Sequence, residues 1–156
     1  DHIKSVKIYD IKSNKIEIKD KDYFEFSYRT TKNLEDKIIL SVDLHVEKGN
    51  SQEIQKQISE NLKRRKDTQP AGVYNAGSVF KNPKEGSAGF FIENAGLKGY
   101  SIEGVEVSQK HANFFVAKKG SKAQSLYDLV NYVKNEVFNK FNISLEEEII
   151  FVGHFS

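Results

Sequence analysis

Residues 121–141 read SKAQSLYDLVNYVKNEVFNKF and carry the clearest periodic pattern in the chain. Ser121 followed by Gln124 is typical of a capping box at the start of a helix. Apolar side chains then recur at the third- and fourth-residue spacing that one face of a helix requires. They are Leu126, Val130, Val133, Val137 and Phe141. The sequence therefore predicts a long amphipathic helix in this region.

Shorter elements are predicted between this helix and the middle of the chain. Ser87 can cap a helix that Gly96 closes in the left-handed conformation. Val79-Phe80, Val105–Val107 and Phe114–Ala117 are apolar runs of strand length. This part of the chain is thus predicted to mix short strands with helices.

The N-terminal third is predicted to be mostly sheet. Apolar and polar residues alternate over residues 6–8 and 16–18, on either side of the turn-forming Lys12-Ser13-Asn14, which predicts a β-hairpin. The same alternation over residues 24–28 and 40–46 predicts further strands.

A second helix is predicted to separate these two regions. Asn50 is a suitable N-cap with Glu53 three residues later. A single apolar stripe follows, made of Ile54, Ile58 and Leu62. The helix is expected to end near Lys66, and the periodicity disappears over residues 67–76, which indicates a boundary between two units. Antiparallel-type strands combined with separate helices predict an α+β fold.

Composition excludes several kinds of site. The 156 residues contain no Cys, so disulfides, thiolate metal sites and cysteine nucleophiles are excluded, and redox chemistry requires a bound cofactor. The net charge of +2 is too small to indicate a general polyanion partner. No apolar stretch reaches the roughly 18 residues of a transmembrane helix, and nothing argues against the cytoplasm. Because the chain has no Met and begins with Asp1, we expect it to be a piece of a longer protein.

Four cations, Lys63-Arg64-Arg65-Lys66, lie at the predicted end of the second helix. They suit the partial negative charge of the unsatisfied carbonyls there, so a solvated helix end is one interpretation. A phosphate-holding edge is the other, because Arg and Lys beside a Gly-containing loop can bind a diphosphate. Nucleic acid is disfavoured, since the patch is short and has no stacking aromatics beside it.

Two further groups of titratable residues have simple structural interpretations. Histidine spacing predicts no metal site, and His111, between two predicted strands, is expected to have a structural hydrogen-bonding role. Glu146-Glu147-Glu148 is most simply a solvated charge run before a strand. A carboxyl on the more enclosed side of that strand could instead act as an acid. Alternation along the strand does not choose which of the three glutamates that would be.

Residues 69–83, QPAGVYNAGSVFKNP, resemble the substrate-domain signature of the UDP-N-acetylenolpyruvoylglucosamine reductase family, roughly Q-P-x-x-x-P-x-x-G-S-x-F-K-N-P. Residues 145–153, LEEEIIFVG, resemble the family's closing L-x-P-E-V-R-x-I-G, and residues 26–30, FSYRT, its F-x-Y-R segment. Other similar stretches follow in the family's order at residues 87–89, 95–99, 104–108 and 110–114. The chain departs from the pattern at Ser101, Glu103, Glu147 and Ile150. The resemblance covers nearly the whole chain.

The resemblance implies that the protein reduces the enolpyruvyl ether of a UDP-sugar. Members of the family pass hydride from NADPH to FAD and then to the substrate, which yields UDP-N-acetylmuramate for peptidoglycan. By resemblance, Ser78 is the general acid, Arg29 pairs with the substrate carboxylate, and Glu148 polarises the intermediate. Contacts to the UDP-sugar are implied for Tyr74, Asn82 and Lys66.

The resemblance also implies a division into three parts. Residues 1–50 would be the C-terminal part of an FAD-binding domain, residues 51–67 a linker helix, and residues 68–156 a substrate-binding domain. FAD would be bound mostly by a missing N-terminal part of the same protein, so the chain alone is expected to lack reductase activity and to bind little or no FAD. The alternative is a non-catalytic α+β module that binds a nucleotide-sugar or another anionic partner.

Overall fold

The structure, a computed structural model, describes residues 2–156. It divides into two compact units, of which the first ends at Gln55 and the second runs from Lys56 to Ser156. Strands and helices are mixed as separate elements, which confirms the α+β prediction. No helix within the described residues combines the length and the apolar character that crossing a membrane requires.

The first unit is built on an antiparallel sheet. The strands of this unit are β1 (Ile3–Asp10), β2 (Lys15–Asp20), β3 (Phe26–Ser27), β4 (Thr30–Thr31) and β5 (Lys37–Leu44). The main sheet has three strands in the order β2-β1-β5, while β3 and β4 form a separate small hairpin. Pairing of β1 with β2 confirms the predicted N-terminal hairpin, and β5 confirms the strand expected around residues 40–46.

The strand predicted over residues 24–28 is wrong in extent. A 3-10 turn, Lys21–Tyr23, begins directly after β2, because the Asp20 carboxylate accepts a hydrogen bond from the backbone N–H of Tyr23 at 3.3 Å. Phe24 then turns inward and packs with Val6 and Ile8 in a small core. Of residues 24–28, Phe26–Ser27 alone forms a strand.

Burial in the first unit differs from what alternation alone would indicate. The apolar side chains of β5 expose between 43% and 57% of their surface; they are Ile38, Ile39, Leu40, Val42 and Leu44. The period-two pattern thus identified a strand whose apolar side chains have no complete cover within the unit.

Helix α1 (Ser51–Thr68) confirms the second predicted helix. The Asn50 side chain accepts hydrogen bonds from the backbone N–H groups of Gln52 at 2.9 Å and Glu53 at 3.3 Å, so the predicted N-cap is confirmed. None of the residues of α1 is buried, and its apolar stripe is therefore half-exposed.

The second unit contains a four-stranded sheet in the order β6-β9-β8-β7 and two helices. Its elements are β6 (Tyr74–Ser78), α2 (Ala88–Asn94), β7 (Ser101–Ile102), β8 (Val105–Val107), β9 (Phe114–Ala117) and α3 (Ala123–Phe141). All strand pairs in this sheet are antiparallel. Helix α3 packs against β7, β8 and α2, and its predicted stripe provides the centre of the core.

Three local predictions in the second unit are wrong. The capping box at Ser121 does not form, because the Ser121 N–H is used in a turn to Lys118. The N-cap of α3 is instead Lys122, which makes no side-chain cap, and the helix begins at Ala123. The strand predicted at Val79-Phe80 does not form, because β6 ends at Ser78 and Phe80 makes only an isolated bridge with Glu147. The apolar run at residues 149–152 forms no strand, and Ile150 is almost fully exposed.

Leu129→Ala is expected to lower the free energy of unfolding by about 2–5 kcal/mol, since it leaves a cavity in the core. Leu129 is completely buried in α3, at 0% exposure, whereas Ile150 is 87% exposed and provides the control. Ile150→Ala should change the free energy by less than about 0.5 kcal/mol. Urea denaturation of the chain measures both, and equal effects would contradict the assigned core.

Candidate active site

A cleft of about 630 Å³ lies in the second unit at the end of β6. Polar and cationic side chains from the end of α1 and from β6 line it, together with one aromatic ring. The principal lining residues are Arg65, Lys66, Gln69, Asn75, Ser78 and Phe114. The cleft therefore combines a hydroxyl group with two cations, in a space large enough for a small molecule.

Ser78 is the last residue of β6 and is half-buried at this cleft. Gly77, which precedes it, has a φ of +81°, a conformation that favours glycine. The Asn75 carboxamide accepts a hydrogen bond from the Gly77 N–H at 3.0 Å, and the register of β6 against β9 shifts between Asn75 and Ser78. This local irregularity directs Ser78 into the cleft while it still pairs with Phe114.

Glu148 lies on the segment that runs antiparallel beside the residues following Ser78. The Glu148 N–H donates to the Val79 carbonyl at 2.8 Å, and Phe80 forms a bridge with Glu147. Val79 is the immediate neighbour of Ser78, so the structure brings the backbone of these two predicted site residues together although seventy positions separate them in the sequence.

The other two glutamates of the run have structural partners. Glu146 is paired with Lys81, and the Glu147 carboxylate accepts a hydrogen bond from the Lys134 ammonium at 2.6 Å. These ion pairs hold the C-terminal segment to residue 81 and to α3. They give Glu146 and Glu147 a role in positioning the segment that carries Glu148.

The basic run at the end of α1 is divided between the cleft and the helix itself. Arg65 and Lys66 line the cleft, and the Arg65 guanidinium also donates to the Gln69 carboxamide at 3.1 Å. The backbone carbonyl of Lys66 accepts a hydrogen bond from the Lys110 ammonium. The end of α1 is thus hydrogen-bonded to Lys110 within the second unit, and two of its cations line the cleft that contains Ser78.

Two of the residues expected to bind the UDP-sugar lie outside this cleft. Tyr74 is 64% exposed and lines a second, more apolar cleft with Val73 and Leu126. The Asn82 carboxamide accepts a hydrogen bond from the Ala88 N–H at 3.0 Å, which helps to begin α2. Contacts of Tyr74 and Asn82 with substrate remain predictions.

Arg29 belongs to the first unit. It occupies the turn between β3 and β4 with a φ of 56°, and its guanidinium lies 5.8 Å from the centre of the Tyr28 ring. The predicted pairing of Arg29 with a substrate carboxylate remains a prediction.

Sequence reasoning missed Asn113, a buried residue directly before β9. Its carboxamide forms two hydrogen bonds with the backbone of Phe80. The adjacent His111 accepts a hydrogen bond from the Asn113 N–H at its Nδ1, at 3.2 Å, which confirms the structural role predicted for that histidine. A single amide has no periodic signature, so the available signals were its position between two predicted strands and its place in the family-like stretch at residues 110–114.

The family model for the C-terminal domain of UDP-N-acetylenolpyruvoylglucosamine reductase matches residues 69–152. The reductase of that name from Anoxybacillus flavithermus is 42% identical over 132 residues, which are 83% of this chain and 43% of the relative. The one from Caldanaerobacter subterraneus is 39% identical over 155 residues, 98% of this chain and 51% of the relative.

A solved structure is also similar. The crystal structure of UDP-N-acetylenolpyruvylglucosamine reductase from Thermus caldophilus matches with a TM-score of 0.83 and 28% identity, over 95% of this chain and 52% of that one. The chain spans about half the length of the curated relatives it matches.

His111 should make stability depend on pH. Burial lowers the pKa of His111 in the folded chain below its usual value near 6.5. The unfolded chain therefore binds a proton first as the pH falls, so this histidine lowers stability as the pH drops through about 6.5 towards the lowered pKa. His111→Gln keeps an acceptor but cannot titrate, and it should reduce that loss. Melting temperatures of both chains from pH 7.5 to pH 5.5 provide the measurement, and parallel curves would contradict it.

Proposed function

The chain belongs to the UDP-N-acetylenolpyruvoylglucosamine reductase family, and from this premise we propose that the whole protein catalyses the reaction in that name. The enolpyruvyl ether of the UDP-sugar would be reduced to UDP-N-acetylmuramate, a precursor of peptidoglycan, in the cytoplasm. NADPH and FAD would supply the hydride. The observation that carries the proposal is that Ser78 lines a cleft with a cationic edge, while the Glu148 segment is hydrogen-bonded to Val79, the residue directly after Ser78.

The charge of the cleft supports a UDP-sugar as the ligand. A diphosphate and a carboxylate make this substrate strongly anionic, and Arg65 and Lys66 are available at the cleft that contains Ser78. Arginine binds phosphate oxygens in pairs, and lysine adds a compact positive charge. Lys66 is proposed to contact the substrate, and Tyr74 and Asn82 are proposed to do so from their neighbouring positions.

The reaction requires a proton as well as a hydride. Addition of hydride to the vinyl group leaves negative charge next to the substrate carboxylate, and the neighbouring carbon must then be protonated. We assign the proton to the Ser78 hydroxyl, stabilisation of the intermediate to the Glu148 carboxyl, and pairing with the carboxylate to Arg29. A hydroxyl group is intrinsically a poor acid, so this assignment requires that Ser78 be held accurately.

The first unit alone does not fit the requirements of an FAD site. The pyrophosphate of a dinucleotide is typically bound by a glycine-rich loop at the N-terminus of a helix. The first unit contains one glycine, Gly49, before the N-terminus of α1 at Ser51, so it has no glycine-rich loop of this kind. We therefore propose that residues 1–50 complete an FAD-binding domain whose main part is supplied by other residues of the whole protein. Residues 51–67 would link this domain to the next, and residues 68–156 would bind the substrate. The exposed apolar side chains of β5 and the length of the relatives support this division.

A non-catalytic module is the second candidate, because the cationic cleft lies entirely within the second unit. Such a module would bind a nucleotide-sugar or another anion without turnover. The two proposals differ in one measurable respect: only the reductase reoxidises its reduced flavin when the substrate is added.

Ser78→Ala in the whole protein is expected to leave reduction of the flavin by NADPH unchanged. Reoxidation by substrate should slow by about 100-fold or more, since a positioned acid contributes roughly that factor. Stopped-flow absorbance of the flavin separates the two half-reactions. Ser125→Ala is the control, because Ser125 is a buried serine of the same unit that hydrogen-bonds Glu103. Normal reoxidation in Ser78→Ala would remove Ser78 as the acid, and absence of reoxidation in the unsubstituted protein would favour the non-catalytic module.

The 156-residue chain, purified alone after incubation with FAD, is expected to be colourless. The reason is that the first unit, in which Gly49 is the one glycine, offers no glycine-rich loop for the pyrophosphate. The whole protein treated in the same way is the control and should retain visible flavin absorbance. Stoichiometric flavin on the 156-residue chain would show that the proposed division of the FAD site is wrong.

A further inference from the structure

The carboxamide of Asn113 acts as a partner for the backbone of Phe80. Its Oδ1 accepts from the Phe80 N–H at 2.9 Å and its Nδ2 donates to the Phe80 carbonyl at 2.8 Å. The backbone carbonyl of Asn113 also accepts from the Val79 N–H at 2.9 Å. Asn113 is 4% exposed, so these bonds form away from water and would be costly to lose.

A side chain is needed here because the sheet pairing ends. The pairing of β6 with β9 extends to Ser78 and Phe114 and no further. Before Phe114 the chain turns away, since the Phe114 N–H donates to the His111 carbonyl at 2.9 Å. No strand is therefore available to pair with Phe80 on that edge, and the Asn113 carboxamide replaces one peptide group of the missing strand.

The opposite edge of the same residues is bonded to the segment that carries Glu148. The Glu148 N–H donates to Val79, and the Lys81 N–H donates to the Glu146 carbonyl at 2.9 Å. Residues 79–81 thus lie between Asn113 on one edge and residues 146–148 on the other. Phe80 is therefore the residue through which Asn113 reaches both Ser78, two positions earlier, and the segment of Glu148, with which Phe80 forms a bridge.

We infer that Asn113 is a positioning residue for the proposed proton transfer, and that its carboxamide fixes Ser78 relative to Glu148 through Phe80. The inference rests on the proposed function, because it concerns the placement of the proposed acid. Asn113 acts through the backbone and has no assigned contact with the reacting atoms. A displacement of about 1 Å in a catalytic group can reduce a rate by roughly 100-fold.

Asn113→Leu in the whole protein tests the inference, because leucine has a similar volume and lacks both hydrogen bonds. Reduction of the flavin by NADPH should be unchanged, and reoxidation by substrate should slow by about 10- to 100-fold. Ser78→Ala is the reference and Ser125→Ala the control for loss of a buried polar group elsewhere in the unit. Slow reoxidation in Ser78→Ala with normal reoxidation in Asn113→Leu would overturn the inference alone. Normal reoxidation in Ser78→Ala would instead contradict the proposed function.

Asn113→Asp provides a rescue by pH and keeps the test valid if the leucine variant does not fold. An ionised carboxylate can only accept, whereas a protonated carboxyl can donate one hydrogen bond and accept another, as the original carboxamide does with Phe80. Reoxidation in this variant should therefore recover towards the original rate as the pH is lowered, and in Asn113→Leu it should not.

The original protein measured over the same pH range corrects for the other titratable groups near Phe80. These are His111, Lys81, Glu146, Glu147 and Glu148. A pH profile of Asn113→Asp that parallels the original protein, with no added recovery at low pH, would overturn the inference.

Discussion

The buried backbone of residues 79–81 is the constraint on which the candidate site depends. Val79 and Phe80 are almost completely buried, and a buried peptide group without a partner costs roughly 1–3 kcal/mol. Regular pairing with β9 ends at Ser78, so other parts of the chain must provide partners. Asn113 does so on one edge and the segment containing Glu148 on the other. Satisfying these few peptide groups therefore assembles distant parts of the sequence next to Ser78.

Elements whose signals lie within a short stretch were predictable from the sequence. The Asn50 cap of α1 lies within one helical turn and the apolar stripe of α3 within a single helix, and both are confirmed. The capping box at Ser121 fails because a turn involving Gly120, which has a φ of 90°, uses the Ser121 N–H first. The alternation in β5 indicated a strand correctly but not its exposure, because a period of two reports the direction of side chains and not the presence of a covering layer.

The candidate site was predictable only in part, because non-local pairing builds it. A signature around Ser78 identifies that residue from neighbouring positions, but nothing in the sequence pairs residue 80 with residue 147. Alternation left three glutamates equivalent. The structure pairs two of them with lysines that are remote in sequence, Glu146 with Lys81 and Glu147 with Lys134. Electrostatic partners that depend on the fold have no signal in a single sequence.

The weak acidity of a hydroxyl group explains why the residues around Ser78 are so extensively hydrogen-bonded. A hydroxyl group is a weak acid at neutral pH, so it can contribute to the rate of proton transfer only if it is placed accurately beside the carbon that accepts the proton. A hydroxyl on a mobile loop would sample many orientations. Ser78 instead ends a strand, follows a glycine in a conformation that favours glycine, and precedes two buried residues bonded on both edges. Functional groups are held most accurately on backbone whose peptide groups are fully hydrogen-bonded. In this unit that requirement makes the buried carboxamide of Asn113 part of the proposed site.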